Sequence, residues 1–275
     1  MEKIILDETL ALKLRNYLQE EGCIERTSEQ TRQEIIRLTS PEFVQELDIK
    51  IKNANPTEFY EVASIKIGNS SAYDSLKTRD SLQITIDNIE QAIIMSEFNQ
   101  TNNILDAGCG TGLEAVFLAS LIKEGKVTGI DYSAGFIERS KERAKKYDFK
   151  NVEFKKAPLE EIPYSPSSFD SIICINALFE APLPNQPQNE NICFTNRLNE
   201  LDRVLKPTGR LYLAIPNSGT PEQIEALHNA QRTGLKALLE SRGYSDFKFN
   251  TISRPNGSHR GNRELDHSYF CMTKG

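Results

Sequence analysis

Three glycines fall within five residues in Asp106-Ala107-Gly108-Cys109-Gly110-Thr111-Gly112, directly after the apolar pair Ile104-Leu105. Glycine enters left-handed backbone conformations closed to other residues and leaves bare main chain for a ligand to lie against. An apolar run that enters such a turn and leaves it into a helix places the turn at the carboxyl edge of a parallel strand, the usual ligand site of an open α/β sheet. The spacing narrows the ligand. A dinucleotide turn reads G-x-G-x-x-G and needs glycine at position 113, where this chain has Leu113, and no Lys-Ser/Thr pair follows as in a phosphate-gripping loop. Pyrophosphate is disfavoured, and a nicotinamide-dependent oxidoreductase with it. Nineteen residues after Gly112, Asp131 closes a second apolar run, Thr128-Gly129-Ile130. A carboxylate there can accept both hydroxyls of a ribose as a charge-assisted pair, and the ring of Tyr132 can lie along a base. The pattern suits a nucleoside without phosphates.

The elements that must hold these residues are readable from periodicity. From Thr101 onward, short apolar runs predict strands at Asn103–Ala107, Lys126–Asp131, Asn151–Lys155, Phe169–Ile175, Arg210–Ile215, Phe247–Ser253 and His267–Thr273. Between them, helices are predicted at Gly112–Glu124, Ser133–Asp148, Gln188–Leu205 and Pro221–Arg242. Strand, helix, strand in repetition means parallel pairing with right-handed crossovers. The last two strands have no helix between them and should form an antiparallel hairpin. The expected fold is therefore α/β, a doubly wound, mostly parallel seven-stranded sheet with an antiparallel last strand. Because the sixth strand is taken as parallel to its neighbours, the loop after it should emerge on the same edge as the glycine turn.

The first hundred residues read differently. Leu10, Leu14 and Leu18 step by four toward Gly22, a second helix is expected from Ser28, and Ser40-Pro41 caps a third running to about Asn53. A fourth spans Asp80–Phe98 with Leu82, Ile86, Ile89 and Ile93 on one side. The division expected is a helical region over 1–100 and a ligand-binding domain over 101–275.

Charge and composition exclude several functions. The 33 Lys and Arg against 39 Asp and Glu give −6, and residues 1–100 carry 11 basic against 18 acidic side chains. An acidic, Trp-free chain without a basic stripe is a poor grip for a phosphate backbone, so no nucleic acid partner is expected. The apolar stretches are too short for a membrane helix, and the N-terminal residues lack a basic start followed by an apolar run, which points to a cytoplasmic chain with no membrane partner. Five scattered cysteines without C-x-x-C suggest neither a disulfide framework nor a zinc site, and no other metal-ligand spacing is visible.

Two later segments extend the glycine turn and Asp131 into a longer pattern: Ser168-Phe169-Asp170-Ser171-Ile172-Ile173-Cys174, and Arg203-Val204-Leu205-Lys206-Pro207-Thr208-Gly209-Arg210-Leu211. In this order the four segments resemble a class I S-adenosylmethionine-dependent methyltransferase of the small-molecule branch, over roughly Thr101–Pro216. The resemblance implies S-adenosyl-L-methionine as donor and S-adenosyl-L-homocysteine as product. It places Asp106 and the backbone of Gly108, Cys109, Gly110, Thr111 and Gly112 beside the methionine moiety, Asp131 on the ribose, and the Ala157–Leu159 turn, with Pro158 and Leu159, near the adenine. Asn176 would line the gap between sulfonium and acceptor. The chain departs from the family in two places: Pro158 stands where an acidic residue often reads the adenine amino group, with Glu160 as the substitute, and Phe179 and Glu180 stand where many relatives have histidines. Segments before the first strand commonly fold over the donor in this family, so a lid is implied around Tyr60, Glu61, Tyr73 and Asp74.

The acceptor side leaves alternatives open. Glu180 either faces the acceptor or is an exposed loop residue. Arg254, His259, Arg260 and Arg263 either meet an anionic part of the acceptor or decorate a solvated hairpin tip, and His228 reads as a solvated or packing residue. Tyr60 and Tyr73 are lid or core. The expected function is methylation of a small metabolite at an amine or guanidine nitrogen, with Glu180, Asn176, His259 and Tyr73 as catalytic candidates. A hydroxyl or carboxylate acceptor and a non-catalytic donor-binding module are the alternatives. The oligomeric state is not legible.

Overall fold

A computed structural model describes residues 3–23, 82–179, 190–219, 221–254 and 264–275, together with isolated positions between 30 and 45. Among these, seven strands form one sheet: β1 (Asn103–Ala107), β2 (Lys126–Asp131), β3 (Val152–Lys156), β4 (Phe169–Ile175), β5 (Leu205–Gly219), β6 (Tyr244–Arg254) and β7 (Glu264–Lys274), in the order β3-β2-β1-β4-β5-β7-β6. The pairs from β3 through β5 are parallel, and β7 is antiparallel to both β5 and β6. The helices are α1 (Glu8–Glu20), α2 (Leu82–Ser96), α3 (Leu113–Ala119), α4 (Ala134–Lys146), α5 (Glu190–Val204), α6 (Pro221–Ala230) and α7 (Lys236–Ser241).

Alternation along the strands divides the core into two layers. Ile104, Ile173, Tyr212 and Cys271 pack with α1, α2 and α3 on one face, while Leu105, Ile172, Leu213 and Phe270 pack with α5 and α7 on the other. The helix α1 is capped by Asp7, whose carboxylate accepts the Leu10 N–H at 2.8 Å, and it ends at Gly22 with φ +78°. The expected apolar stripe of α2 is present, with Ile86, Ile89 and Ile93 buried.

The structure corrects several expected boundaries. β5 runs to Gly219, beyond the partners that β4 supplies up to Ala214, because β7 continues the ladder to Glu264. The helix expected over 221–242 is interrupted by a π-helical turn at Gln231–Leu235. There the Thr233 hydroxyl donates to the Asn229 carbonyl at 2.7 Å, in competition with the backbone ladder. β6 is not parallel to its neighbour: it lies on the sheet edge and pairs antiparallel with β7 alone. Since β5 and β6 both oppose β7, they run in one direction, so Arg254 still leaves at the carboxyl edge. Most of the helix expected from Ser28 and of that at Ser40–Asn53 lies outside the described residues, as does the implied lid around Tyr60 to Asp74.

Candidate functional site

β1 has β2 on one side and β4 on the other, so the chain crosses from one half of the sheet to the other at its carboxyl end. That switch point opens a crevice between diverging connections, and the glycine turn occupies it. Gly108, Gly110 and Gly112 have φ +80°, +52° and +74°, all left-handed. The N–H groups of Gly108 and Cys109 both donate to the Ile130 carbonyl at 2.9 Å, which folds the turn over the end of β2.

The three glycines are not equivalent. A Cβ on Gly108 would stand 2.3 Å from the Cβ of Ala177, just after β4, and one on Gly112 would meet Ser140 at 2.9 Å and Phe154 at 3.0 Å. One on Gly110 would meet nothing within 4 Å among the described residues. The outer two glycines allow close packing of the turn on β4 and α4; the middle one presents bare main chain to open space.

Asp131, 8% exposed, braces the turn. Its Oδ2 accepts the Gly110 N–H at 3.0 Å and its Oδ1 accepts the Ser133 N–H at 2.9 Å. The Ser133 hydroxyl in turn accepts the Phe136 N–H and caps α4. These two bonds fix the orientation of the carboxylate at the end of β2. Asp131 thus also places a negative charge at the N-terminus of α4.

Three residues that sequence reasoning missed complete the brace. The Ser140 hydroxyl stands 3.0 Å from the Gly110 carbonyl. The Arg143 Nη1 donates to the Thr111 carbonyl, and its Nε donates to Glu21 Oε2 at 2.6 Å. The Glu21 Oε1 accepts from Lys146 at 2.6 Å and from the Tyr147 hydroxyl at 2.8 Å. The Arg143 and Glu21 side chains are 0% and 1% exposed. Burial alone would raise the carboxyl of Glu21, but the Arg143 charge and the bonds from Lys146, Arg143 and Tyr147 outweigh it and hold it at about 2. A periodicity signal existed: Phe136, Ile137, Ser140, Arg143 and Ala144 are the buried face of α4, and an arginine on such a face needs a partner. Gly129 was likewise unassigned. A Cβ there would press on Phe154 at 2.5 Å and on Cys109 Sγ at 2.9 Å, so β2 must be bare beneath the turn.

The other predicted residues are distributed as follows. Asp106, 2% exposed, is the penultimate residue of β1, opposite Ile173 of β4. Cys109 is buried, and burial followed by the negative charge of Asp106 pushes its thiol well up, which makes it a packing residue. Tyr132 follows Asp131, and Ala157 donates its N–H to the Asp131 carbonyl at 2.9 Å, which brings Pro158 and Leu159 beside the end of β2. Asn176 follows β4 with φ +57°, and its buried Oδ1 has no hydrogen-bond partner among the described residues. Glu160, the expected substitute at the adenine, has one oxygen committed to Arg197: Nε to Oε1 is 2.7 Å, with both side chains 5% exposed. Phe179, 53% exposed, stacks on Phe194 with centroids 4.9 Å apart. Glu180, Tyr73, His259, Glu61, Arg260 and Arg263 lie outside the described residues, and the side chain of Arg254 with them. Of the four catalytic candidates, only Asn176 is therefore placed.

Together these features define a class: a Rossmann-like α/β domain with a glycine turn and an acidic residue at the end of β2, the arrangement of a nucleoside-binding site at a switch point. The chain belongs to the methyltransferase domain family, whose profile matches residues 98–251. The demethylmenaquinone methyltransferase of Listeria welshimeri is 29% identical over 143 residues, covering 52% of this chain and 56% of the relative. The chain thus spans about half the length of the curated relatives it matches. Among solved structures, a putative sarcosine dimethylglycine methyltransferase from Galdieria sulphuraria shares the fold at TM-score 0.52 and 17% identity, over 71% of this chain and 85% of the other. The phosphoethanolamine N-methyltransferase 2 of Haemonchus contortus, solved in complex with S-adenosyl-L-methionine, does so at TM-score 0.52 and 15% identity, over 68% and 52%.

Among the described residues, no helix is long and apolar enough to cross a membrane, and no group of three His, Cys, Asp or Glu is placed to hold a metal.

Proposed function

We propose that this protein transfers a methyl group from S-adenosyl-L-methionine to a small metabolite, with an amine or guanidine nitrogen as acceptor. The observation that carries the reading is the pairing of open space over Gly110 with the braced carboxylate of Asp131. The residues present fit the donor. Main chain at Gly110 can approach the methionine moiety without a side chain intervening, and the oriented carboxylate of Asp131 suits ribose hydroxyls as a charged acceptor. The donor carries one net positive charge from its sulfonium, ammonium and carboxylate, which the buried carboxylates of Asp106 and Asp131 complement. Tyr132 and the Pro158–Leu159 turn flank the position of the base.

When bound, the donor supplies a methyl carbon already made electrophilic by the sulfonium. The work left to the protein is placement and exclusion of water, and good alignment of two reactants supplies on the order of 7–11 kcal/mol. Asn176 stands next to Ala177, which packs against Gly108, so the orphaned Oδ1 lies at the junction of the β1 and β4 turns. A buried carbonyl oxygen there accepts an N–H of an amine acceptor and orients its lone pair. A neutral amine needs no base for the attack itself; it loses its proton afterwards, and Glu180 or Glu61 would attract the cation and take that proton. The nitrogen preference rests on this acceptor-side polarity and on the recurrence of carboxylates in those segments.

The test is thermal and chemical. S-adenosyl-L-homocysteine at about 100 times its Kd should add about 2.7 kcal/mol of stability and raise the melting temperature, while NAD should not. Incubation with donor and a panel of amines, guanidines, phenols and carboxylic acids, read by mass spectrometry, should show methyl gain on nitrogen compounds. Modification of hydroxyl or carboxyl compounds alone overturns the nitrogen assignment; uptake without any turnover supports a binding module instead.

A further inference from the structure

We infer that the buried Glu21–Arg143 pair is a positioning device through which α1 sets the shape of the glycine turn, and with it the affinity for the methyl donor. The inference deepens the donor-binding reading above and rests on it. Two carbonyl groups of the turn, those of Gly110 and Thr111, face side chains of α4. Arg143 of α4 donates to that of Thr111, and the Ser140 hydroxyl, whose shorter contact at 2.8 Å is the Phe136 carbonyl, stands 3.0 Å from that of Gly110. In a trans peptide the C=O and the next N–H point in opposite directions. Anchoring the Thr111 carbonyl on α4 therefore turns the Gly112 N–H away from α4, where it meets the Cys109 carbonyl at 2.9 Å.

Arg143 can serve in this way only because Glu21 neutralises it. A guanidinium with a fully buried side chain is tolerable when its charge is matched and its donors are bonded. The Nε bond to Glu21 at 2.6 Å fixes the planar fork, and the fork geometry then dictates where Nη1 points. Glu21 sits at the C-terminal cap of α1, where Gly22 turns the chain out of the helix. The same helix reaches the start of α3 through Tyr17, whose buried hydroxyl donates to the Leu113 carbonyl at 2.9 Å. Thus α1 bears twice on the C-terminal end of the turn, at Thr111 through Arg143 and at Leu113 directly. Lys146 and Arg139, at 2.6 and 3.7 Å, also face Glu21, so the carboxylate stays matched when Arg143 is removed.

Removing Glu21 alone leaves the buried Arg143 charge unmatched and risks unfolding, so the decisive variant is Glu21→Gln with Arg143→Met, which removes both charges at similar volume. Hydrogen exchange of the amides of residues 109–113, followed without any donor, reads the device itself. Calorimetry with S-adenosyl-L-homocysteine and steady-state kinetics read its consequence. The double variant should keep the exchange pattern of β1 and β2, exchange the turn amides at least tenfold faster, and bind S-adenosyl-L-homocysteine at least tenfold more weakly. Donor KM should rise while kcat at saturating donor is retained, a split that a loss of global stability does not produce. Arg143→Lys, which keeps the charge but lacks the fork, should fall between wild type and the double variant. A folded double variant with wild-type turn exchange and wild-type Kd overturns the inference. Wild-type protein that takes up no S-adenosyl-L-homocysteine instead overturns the donor reading, and the exchange measurement then decides the positioning role by itself.

Discussion

Replacing Asp131 by asparagine preserves the shape of the side chain and removes its charge. In the native protein, one carboxylate oxygen accepts the Gly110 N–H at 3.0 Å and the other the Ser133 N–H at 2.9 Å. An amide has a single acceptor oxygen, so its NH2 group must face one of these two N–H donors, and only one ribose hydroxyl can still be accepted. A hydrogen bond to a charged group contributes about 1.5–3 kcal/mol and a neutral one about 0.5–1.5. Exchanging two charged bonds for one neutral bond removes about 2–5 kcal/mol, or roughly 30-fold to a few thousandfold in Kd. Calorimetric titration with S-adenosyl-L-homocysteine measures this directly, and a thermal melt shows whether Asp131→Asn is folded. The backbone consequence alone is about 1–3 kcal/mol for the N–H left facing a donor, which the domain should survive. A folded Asp131→Asn protein binding within threefold of wild type would refute the assignment of Asp131 to the ribose.

Other outcomes follow from the same geometry. Gly110→Ala should cost only about 1–2 kcal/mol of stability for its left-handed backbone, yet abolish donor binding, because its methyl enters open space over the turn; Gly108→Ala, driven against Ala177 at 2.3 Å, should lower the melting temperature much more. Comparing melts and titrations of the two variants checks this. Glu97 is held at about 2 by bonds from Lys248 and Lys3 and by the Arg210 charge. A depressed folded-state value means its stabilisation is complete above the ordinary carboxylate value and is lost as pH falls toward 2. Glu97→Gln should therefore flatten the melting-temperature profile between about pH 4.5 and 2, and an unchanged slope would contradict the pairing. All five cysteines are buried, and burial raises the thiols of Cys109 and Cys174, the latter to about 12. An aromatic disulfide reagent should find no rapidly reacting thiol in native protein and five after denaturation.

The features legible in the sequence share a property: each is specified by neighbours along the chain. The glycine turn is visible because Gly108, Gly110 and Gly112 need backbone angles set by single residues, and all three are left-handed as expected. Strand positions and the doubly wound order follow from local apolar runs joined by helices, and Asp131 was found because the end of β2 lies a fixed distance beyond the turn. Less was legible at the acceptor side. There the sequence offered Glu180, His259 and Tyr73, which lie outside the described residues, and only Asn176 can be placed. At Glu160, sequence reasoning favoured a ligand contact, whereas the buried pair with Arg197 gives half of that carboxylate a structural partner.

By itself, then, the amino-acid order determined the sheet, the reversed final strand, the glycine turn and the carboxylate at the end of β2, because dihedral preference and hydrophobic period act over a few residues. The tertiary structure alone decided how that turn is held. Glu21 and Arg143 are 122 residues apart, and Arg143 and Thr111 are 32 apart. Nothing local marks any of them as partners. They meet because α1 and α4 pack beside the same end of the sheet, and a charge buried at that junction has to be matched by whatever the fold brings within reach.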